Sequence, residues 1–116
     1  MPARGFVAKE LGALLGVLSH PHRIRIVTEI RDRELDVNAL QAALNIAHSA
    51  VSQHLSVMRS HRLVSERREG RHVYYRLQQP ELATWLLDGL KFLEAGAHQA
   101  EEIREAVEHT RSLWSR

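Results

Sequence analysis

Arginine and histidine supply most of the chemically active groups in this chain of 116 residues. Six arginines (59, 62, 67, 68, 71 and 76) lie between Arg59 and Arg76 with two glutamates, a local charge of +4. Such a run is either a solvated face or a phosphate-facing surface, and only the structure that carries it can decide. Just upstream, Ala47-His48-Ser49-Ala50-Val51-Ser52-Gln53-His54-Leu55 mixes short hydroxyls, an amide and imidazoles. Those groups reach base edges or phosphates when a helix presents them. There are eight histidines and no cysteine. The missing thiol excludes disulfides, thiolate metal sites, thiol redox sensing and a cysteine nucleophile. No Ser/His/Asp set, paired-carboxylate cleft or glycine-rich phosphate loop is visible, so the chain is not read as an enzyme.

The elements that must position these residues follow from periodicity. Phe6 to Ser19 reads as a helix, with Val7, Leu11, Leu14, Leu15 and Leu18 at helical spacing. Ser19-His20-Pro21 breaks it, and Pro21 suits the first position of a second helix. That helix is expected to turn Ile24, Val27 and Ile30 inward and Arg23, Arg25, Glu29 and Arg31 outward. Asp36 is a good N-cap for a short third helix carrying Val37, Leu40 and Leu44, and Asn45 can end it in a left-handed conformation. Val51, Leu55 and Met58 mark the apolar stripe of a fourth helix, which gives a helix-turn-helix over about 36–60. The period then drops to two across about 63–77. Val73, Tyr75 and Leu77 alternate with Tyr74 and Arg76, and Gly70 allows a tight turn. From Glu81 the helical period returns to about residue 114, and Gly89 and Gly96 leave one kinked helix or two shorter ones open.

The expected fold is therefore mostly α with a small two-stranded β-wing: a winged helix-turn-helix in one domain spanning 1–116. A helix-turn-helix followed by a basic hairpin resolves the arginine run. The fourth helix would lie in the major groove of double-stranded DNA with His48, Ser49, Ser52, Gln53 and His54 as its reading face. Arg67, Arg68, Arg71 and His72 on the wing would reach the flanking backbone. Charge is distributed to match, with +5 over residues 1–80 and −3 over 81–116. Hydrophobic residues at 44% and charged residues at 26% describe an ordinary globular chain. No apolar run approaches the 18 or so residues of a membrane span, and Met1-Pro2-Ala3-Arg4-Gly5 lacks a signal's apolar core. A cytoplasmic protein without membrane association is expected.

The stretch Leu44-Asn45-Ile46-Ala47-His48-Ser49-Ala50-Val51-Ser52-Gln53-His54-Leu55, with Leu63-Val64 and Glu69-Gly70-Arg71-His72-Val73-Tyr74-Tyr75, resembles the ArsR/SmtB family of bacterial transcriptional repressors. Leu18-Ser19-His20-Pro21-His22-Arg23-Ile24-Arg25-Ile26 is similar to that family's second-helix signature. The resemblance covers roughly residues 10–95. It implies a homodimeric repressor that binds an inverted repeat and dimerises through its first and C-terminal helices. Leu11, Leu15, Leu82, Trp85, Leu86, Leu90, Leu93 and Ala97 are the expected interface, since a chain this small has little core of its own. Ala47 departs from the family's usual serine cap, and a shift of the helix start to Ser49 is one way to compensate.

Family members commonly release DNA when a metal or metalloid binds, but neither family-type site is intact. Asp36 and Asn38 hold the two thiolate positions of one, and Gln79, Glu81, Phe92 and Ala95 the positions of the other. Phe92 and Ala95 cannot coordinate anything. His20-Pro21-His22 could chelate weakly and His98 pairs with Glu101 at i, i+3, but zinc normally takes three or four ligands. No metal and no cofactor are expected. Trp85, Phe92 and Trp114 read as core or interface rather than as a ligand pocket. Two alternatives stay open: a winged-helix module that docks another protein through its C-terminal stripe, and a repressor that senses a non-family ligand or metal through its histidines.

Overall fold

A computed structural model describes residues 2–96 and 101–114. The chain divides into two compact units, Met1–Gln79 and Pro80–Arg116. The first contains α1 (Pro2–Leu18), α2 (Pro21–Glu29), β1 (Leu35–Asp36), α3 (Val37–Leu44), α4 (His48–Ser60), β2 (Val64–Glu69) and β3 (His72–Leu77). The second contains α5 (Glu81–Gly96) and α6 (Glu101–Trp114). The fold is the expected mostly helical winged helix-turn-helix.

Its core explains the placement of each element. Ile26, Val27 and Ile30 of α2, Leu40 and Leu44 of α3, and Val51, Leu55 and Met58 of α4 are buried, and Val64 and Leu77 close the core from the sheet. The inward row of α2 differs from the expected one: Ile24 is 36% exposed, and Ile26 takes its place. Two arginines expected on the outer face of α2 are also tied down. Arg23 donates to the Val17 carbonyl at 3.3 Å, and Arg25 donates to the Ala43 carbonyl at 2.9 Å, fastening α2 to the end of α3.

The helix-turn-helix is set by its caps. Asp36 is the N-cap of α3 and its Oδ1 accepts the Ala39 N–H at 2.8 Å. Asn45 ends α3 at φ 56° and ψ 49°, a left-handed conformation that asparagine tolerates. Helix α4 starts at His48 with Ala47 as a cap that offers no side-chain bond, so Ser49 does not shift the helix start. At its other end Arg62 N–H reaches the Arg59 carbonyl at 3.0 Å and Leu63 N–H the Met58 carbonyl at 2.9 Å, a Schellman closure. Arg62 occupies the left-handed position at φ 60°, where glycine is the usual residue.

The wing carries one strand more than expected. Strands β2 and β3 pair antiparallel from Val64↔Leu77 to Glu69↔His72, around Gly70 at φ 62°. Strand β1 adds to the other side of β3 through Leu35↔Tyr75 and Asp36↔Tyr74, giving the order β1-β3-β2. Two residues have no readable alternation, which is why the sequence did not announce them.

In the second unit, α5 continues through Gly89, and α5 and α6 are separate helices among the described residues. They pack together, with Arg111 Nη1 2.7 Å from Glu94 Oε1 and Val107 buried. Ala97 of the expected interface lies outside the described residues.

Candidate nucleic-acid interface

Helix geometry sorts the fourth helix into two faces. At 100° per residue, Val51, Leu55 and Met58 share one side, while Ser49, Ser52 and Gln53 point away from it. All three are exposed, as is His48 in the first turn. They form a hydroxyl-and-amide face on a helix whose N-terminal N–H groups favour anions. His54 is not part of this face. It lies only about 60° from Val51 around the helix, and it is partly buried against α2, where its Nδ1 accepts from Arg23 Nε at 3.1 Å. Burial holds the His54 imidazole below its ordinary pKa, with His20, Arg23 and His22 adding repulsion.

The wing likewise divides its charges. Residues paired across a two-stranded ribbon share a face, so Arg68 lies with Val73, and Arg67 with Tyr74 on the other side. On the Arg67 face an ion-pair cluster joins the wing to the start of α3. Arg67 Nε is 3.1 Å from Glu34 Oε2, its Nη1 is 2.7 Å from Glu69 Oε2, and its guanidinium stacks 4.9 Å above the Tyr74 ring. The two carboxylates strengthen its hold on its proton, and Arg67 in turn lowers the pKa of Glu69. His72 stacks on Tyr74 and places Nδ1 3.6 Å from Asp36 Oδ2.

Arg68 and Arg71 are different. Both are exposed, and neither forms an ion pair among the described residues. Arg62, which the sequence reading did not place in the site, shares both properties and sits in the corner between α4 and β2. Its left-handed backbone was the one local signal: an arginine holding a glycine position. Arg59 is less available, since its Nη1 meets Glu66 Oε1 at 2.6 Å and so ties the end of α4 to β2. Burial, with Glu66 adding to it, holds the Tyr75 phenol above its usual pKa.

Of the expected reading residues, the structure thus groups Ser49, Ser52 and Gln53 on one helix face, with His48 exposed in the first turn. Arg68 and Arg71 lie exposed on the wing, Arg67 and His72 are drawn into the cluster with acidic partners, and His54 is turned inward. A second histidine grouping appears instead: one ring nitrogen each of His20, His22 and His54 lies within 4.8 Å of the others. Asp36, at a thiolate position of one family-type site, serves as the helix cap and faces His72.

Residues 20–66 match the model of the bacterial regulatory protein, arsR family. Over 83 residues the chain is 35% identical to the biofilm growth-associated repressor of Agrobacterium fabrum, covering 72% of this chain and 71% of that protein. It belongs to the arsR family. The transcriptional repressor SmtB homolog of Synechocystis is 41% identical over 70 residues, which cover 60% of this chain and 53% of that longer protein. Among solved structures, the transcriptional repressor BigR from Xylella fastidiosa superposes with a TM-score of 0.67 at 30% identity, covering 79% of this chain and 93% of that one. An arsR-family protein is a transcriptional regulator rather than an enzyme. No helix among its described residues is long and apolar enough to cross a membrane.

Proposed function

We propose that this arsR-family protein is a cytoplasmic, homodimeric repressor that binds an inverted repeat in double-stranded DNA. The observation that carries the reading is the exposed face of α4, where Ser49, Ser52 and Gln53 follow a helix N-terminus with no side-chain cap, in the same unit as two wing arginines that have no ion-pair partner among the described residues. Gln53 is the side chain best suited to a bidentate contact with a base edge, while Arg68 and Arg71 grip phosphate. Arg62 extends the phosphate surface toward α4.

Dimerisation is supported separately in each unit. Leu11 and Leu15 of α1 are each 48% exposed, in an i, i+4, i+8 row with the exposed Val7. On α5, Trp85 and Leu93 are exposed beside the half-buried Leu82, Leu86 and Leu90, and Phe92 is 71% exposed. Apolar rows of this size are normally covered by another chain. Sedimentation should find a dimer; a stable monomer would favour the alternative in which the C-terminal face docks a different protein.

The direct test is anisotropy titration against the DNA upstream of the protein's own gene and a scrambled control. With about eight phosphate contacts per dimer, log K should fall with log salt at a slope near −7. A slope near zero, or equal affinity for both DNAs, would sink the proposal. Repression is tested by placing that DNA ahead of a reporter: the protein should lower its transcription, and an increase would make it an activator.

A further inference from the structure

Three imidazoles converge where α2 begins. His20 is the N-cap residue of α2 yet its side chain makes no capping bond, and its Nδ1 is buried without a hydrogen-bond partner among the described residues. Pro21 holds His22 two residues beyond the cap, and His54 approaches from the middle of α4. The ring centroids are 4.4 Å apart for His20 and His54, 5.5 Å for His20 and His22, and 5.6 Å for His22 and His54.

We propose that His20, His22 and His54 bind one divalent transition-metal ion, zinc being the probe, and so clamp the start of α2 to the recognition helix. The donor set selects the ion class. Three neutral imidazoles suit zinc, cobalt or nickel, whereas magnesium and calcium need oxygen ligands. With Zn–N bonds of about 2.0–2.1 Å, tetrahedral geometry asks for nitrogens about 3.4 Å apart. Starting from nitrogens within 4.8 Å of one another, the site closes by ring rotation and small side-chain shifts. Water fills the fourth position, and the ion gives the orphaned His20 nitrogen a partner when Nδ1 is the ligating atom.

Arg23 makes the site conditional. A metal-bound neutral imidazole has one nitrogen on the ion and a proton on the other. Arg23 Nε can only donate, and it now donates to His54 Nδ1. That bond is lost whichever His54 nitrogen takes the metal, because Nδ1 then either binds the ion or carries the proton. Arg23 and the ion therefore compete for His54, and the guanidinium charge adds repulsion. The Arg23 contact with the Val17 carbonyl connects the same competition to the end of α1.

The experiment uses the full chain, stripped of metal, and reads binding without DNA, so its failure is separate from failure of the repressor reading. Zinc is titrated in competition with a chromophoric chelator, and cobalt is followed by its ligand-field absorption. One ion per chain with Kd of about 10 μM or below is expected, together with tetrahedral cobalt bands. His22→Ala should weaken binding at least about tenfold, and Arg23→Gln should tighten it. Since His54→Ala risks the fold, the His54 contribution is read from ring-nitrogen NMR of the wild-type chain, where zinc must shift His54 along with His20 and His22. Binding that His22→Ala leaves unchanged, shifts confined to His20 and His22, weaker binding in Arg23→Gln, or no binding at about 100 μM zinc each overturn the proposal.

Discussion

The wing gives the sharpest quantitative prediction, because its arginines look alike in sequence and differ in structure. Arg68 and Arg71 have no ion-pair partner among the described residues, whereas Arg67 is held by Glu34 and Glu69. In a dimer the first two supply four cations, about half of the eight phosphate contacts assumed for the complex. Each contact contributes about 0.9 to the log–log salt slope, so the double substitution Arg68→Ala/Arg71→Ala should move it from about −7 to about −3.6. Between 50 and 200 mM salt, wild-type affinity then falls about 20,000-fold and that of the double variant only about 150-fold. Arg67→Ala should leave the slope within about 1 of wild type, because its charge is already balanced by carboxylates. Anisotropy titrations of labelled DNA over that salt range measure all three slopes. If Arg67→Ala flattens the slope by about 1.8, the full contribution of two phosphate-bound cations per dimer, the partition of the wing into bound and free charge is wrong. An unchanged slope in the double variant would remove the wing from the DNA altogether.

Gln53→Ala should alter base preference, costing about 1–3 kcal/mol at one position of each half-site with little change in salt slope, as competition against single-base operator variants would report. Ala47→Ser should stabilise the protein by about 1 kcal/mol in urea denaturation, since the extended backbone of residue 47 already suits a cap that lacks its side-chain bond. Arg62→Gly should also raise stability, by about 1 kcal/mol, by relieving a left-handed arginine, and should weaken DNA binding; a gain in stability with no loss of affinity would take Arg62 out of the interface. Tyr75 titrates above its ordinary value through burial and Glu66, opposed by Arg59 and Arg68. The unfolded chain therefore releases this proton first, and the contribution to stability is full below about pH 10 and is lost as pH rises through the folded pKa. Ultraviolet titration should find the high phenol, and Glu66→Gln should lower it.

Local features of the fold were legible because each depends on neighbours in sequence. The apolar spacing of Leu40, Leu44, Val51, Leu55 and Met58 located α3 and α4. Asp36, Asn45 and Gly70 marked a cap, a helix end and a turn through their own conformational preferences. Strand β1 escaped because its pairing with β3 is made by partners 38 and 40 residues away. The inward row of α2 was misassigned for a related reason. Ile24 and Ile26 are both apolar, and only packing against α3 and α4 decides which one the core takes.

The polar site shows where residue type stops being informative. Ser49, Ser52 and Gln53 could be placed from the helix wheel, because the opposite stripe is unambiguously apolar. His54 could not, since a position about 60° from the core centre can turn either way. Arg23, 31 residues earlier, holds it inward. The wing repeats the point for charge. Adjacent residues on a strand face opposite sides, so Arg67 meets carboxylates that Arg68 does not, and a count of arginines overstates the charge left for phosphate. Glu34 captures Arg67 only because β1 places the start of α3 alongside β3. The strand that the sequence hid is thus also what removes one cation from the DNA-binding count and anchors the wing to the helix-turn-helix.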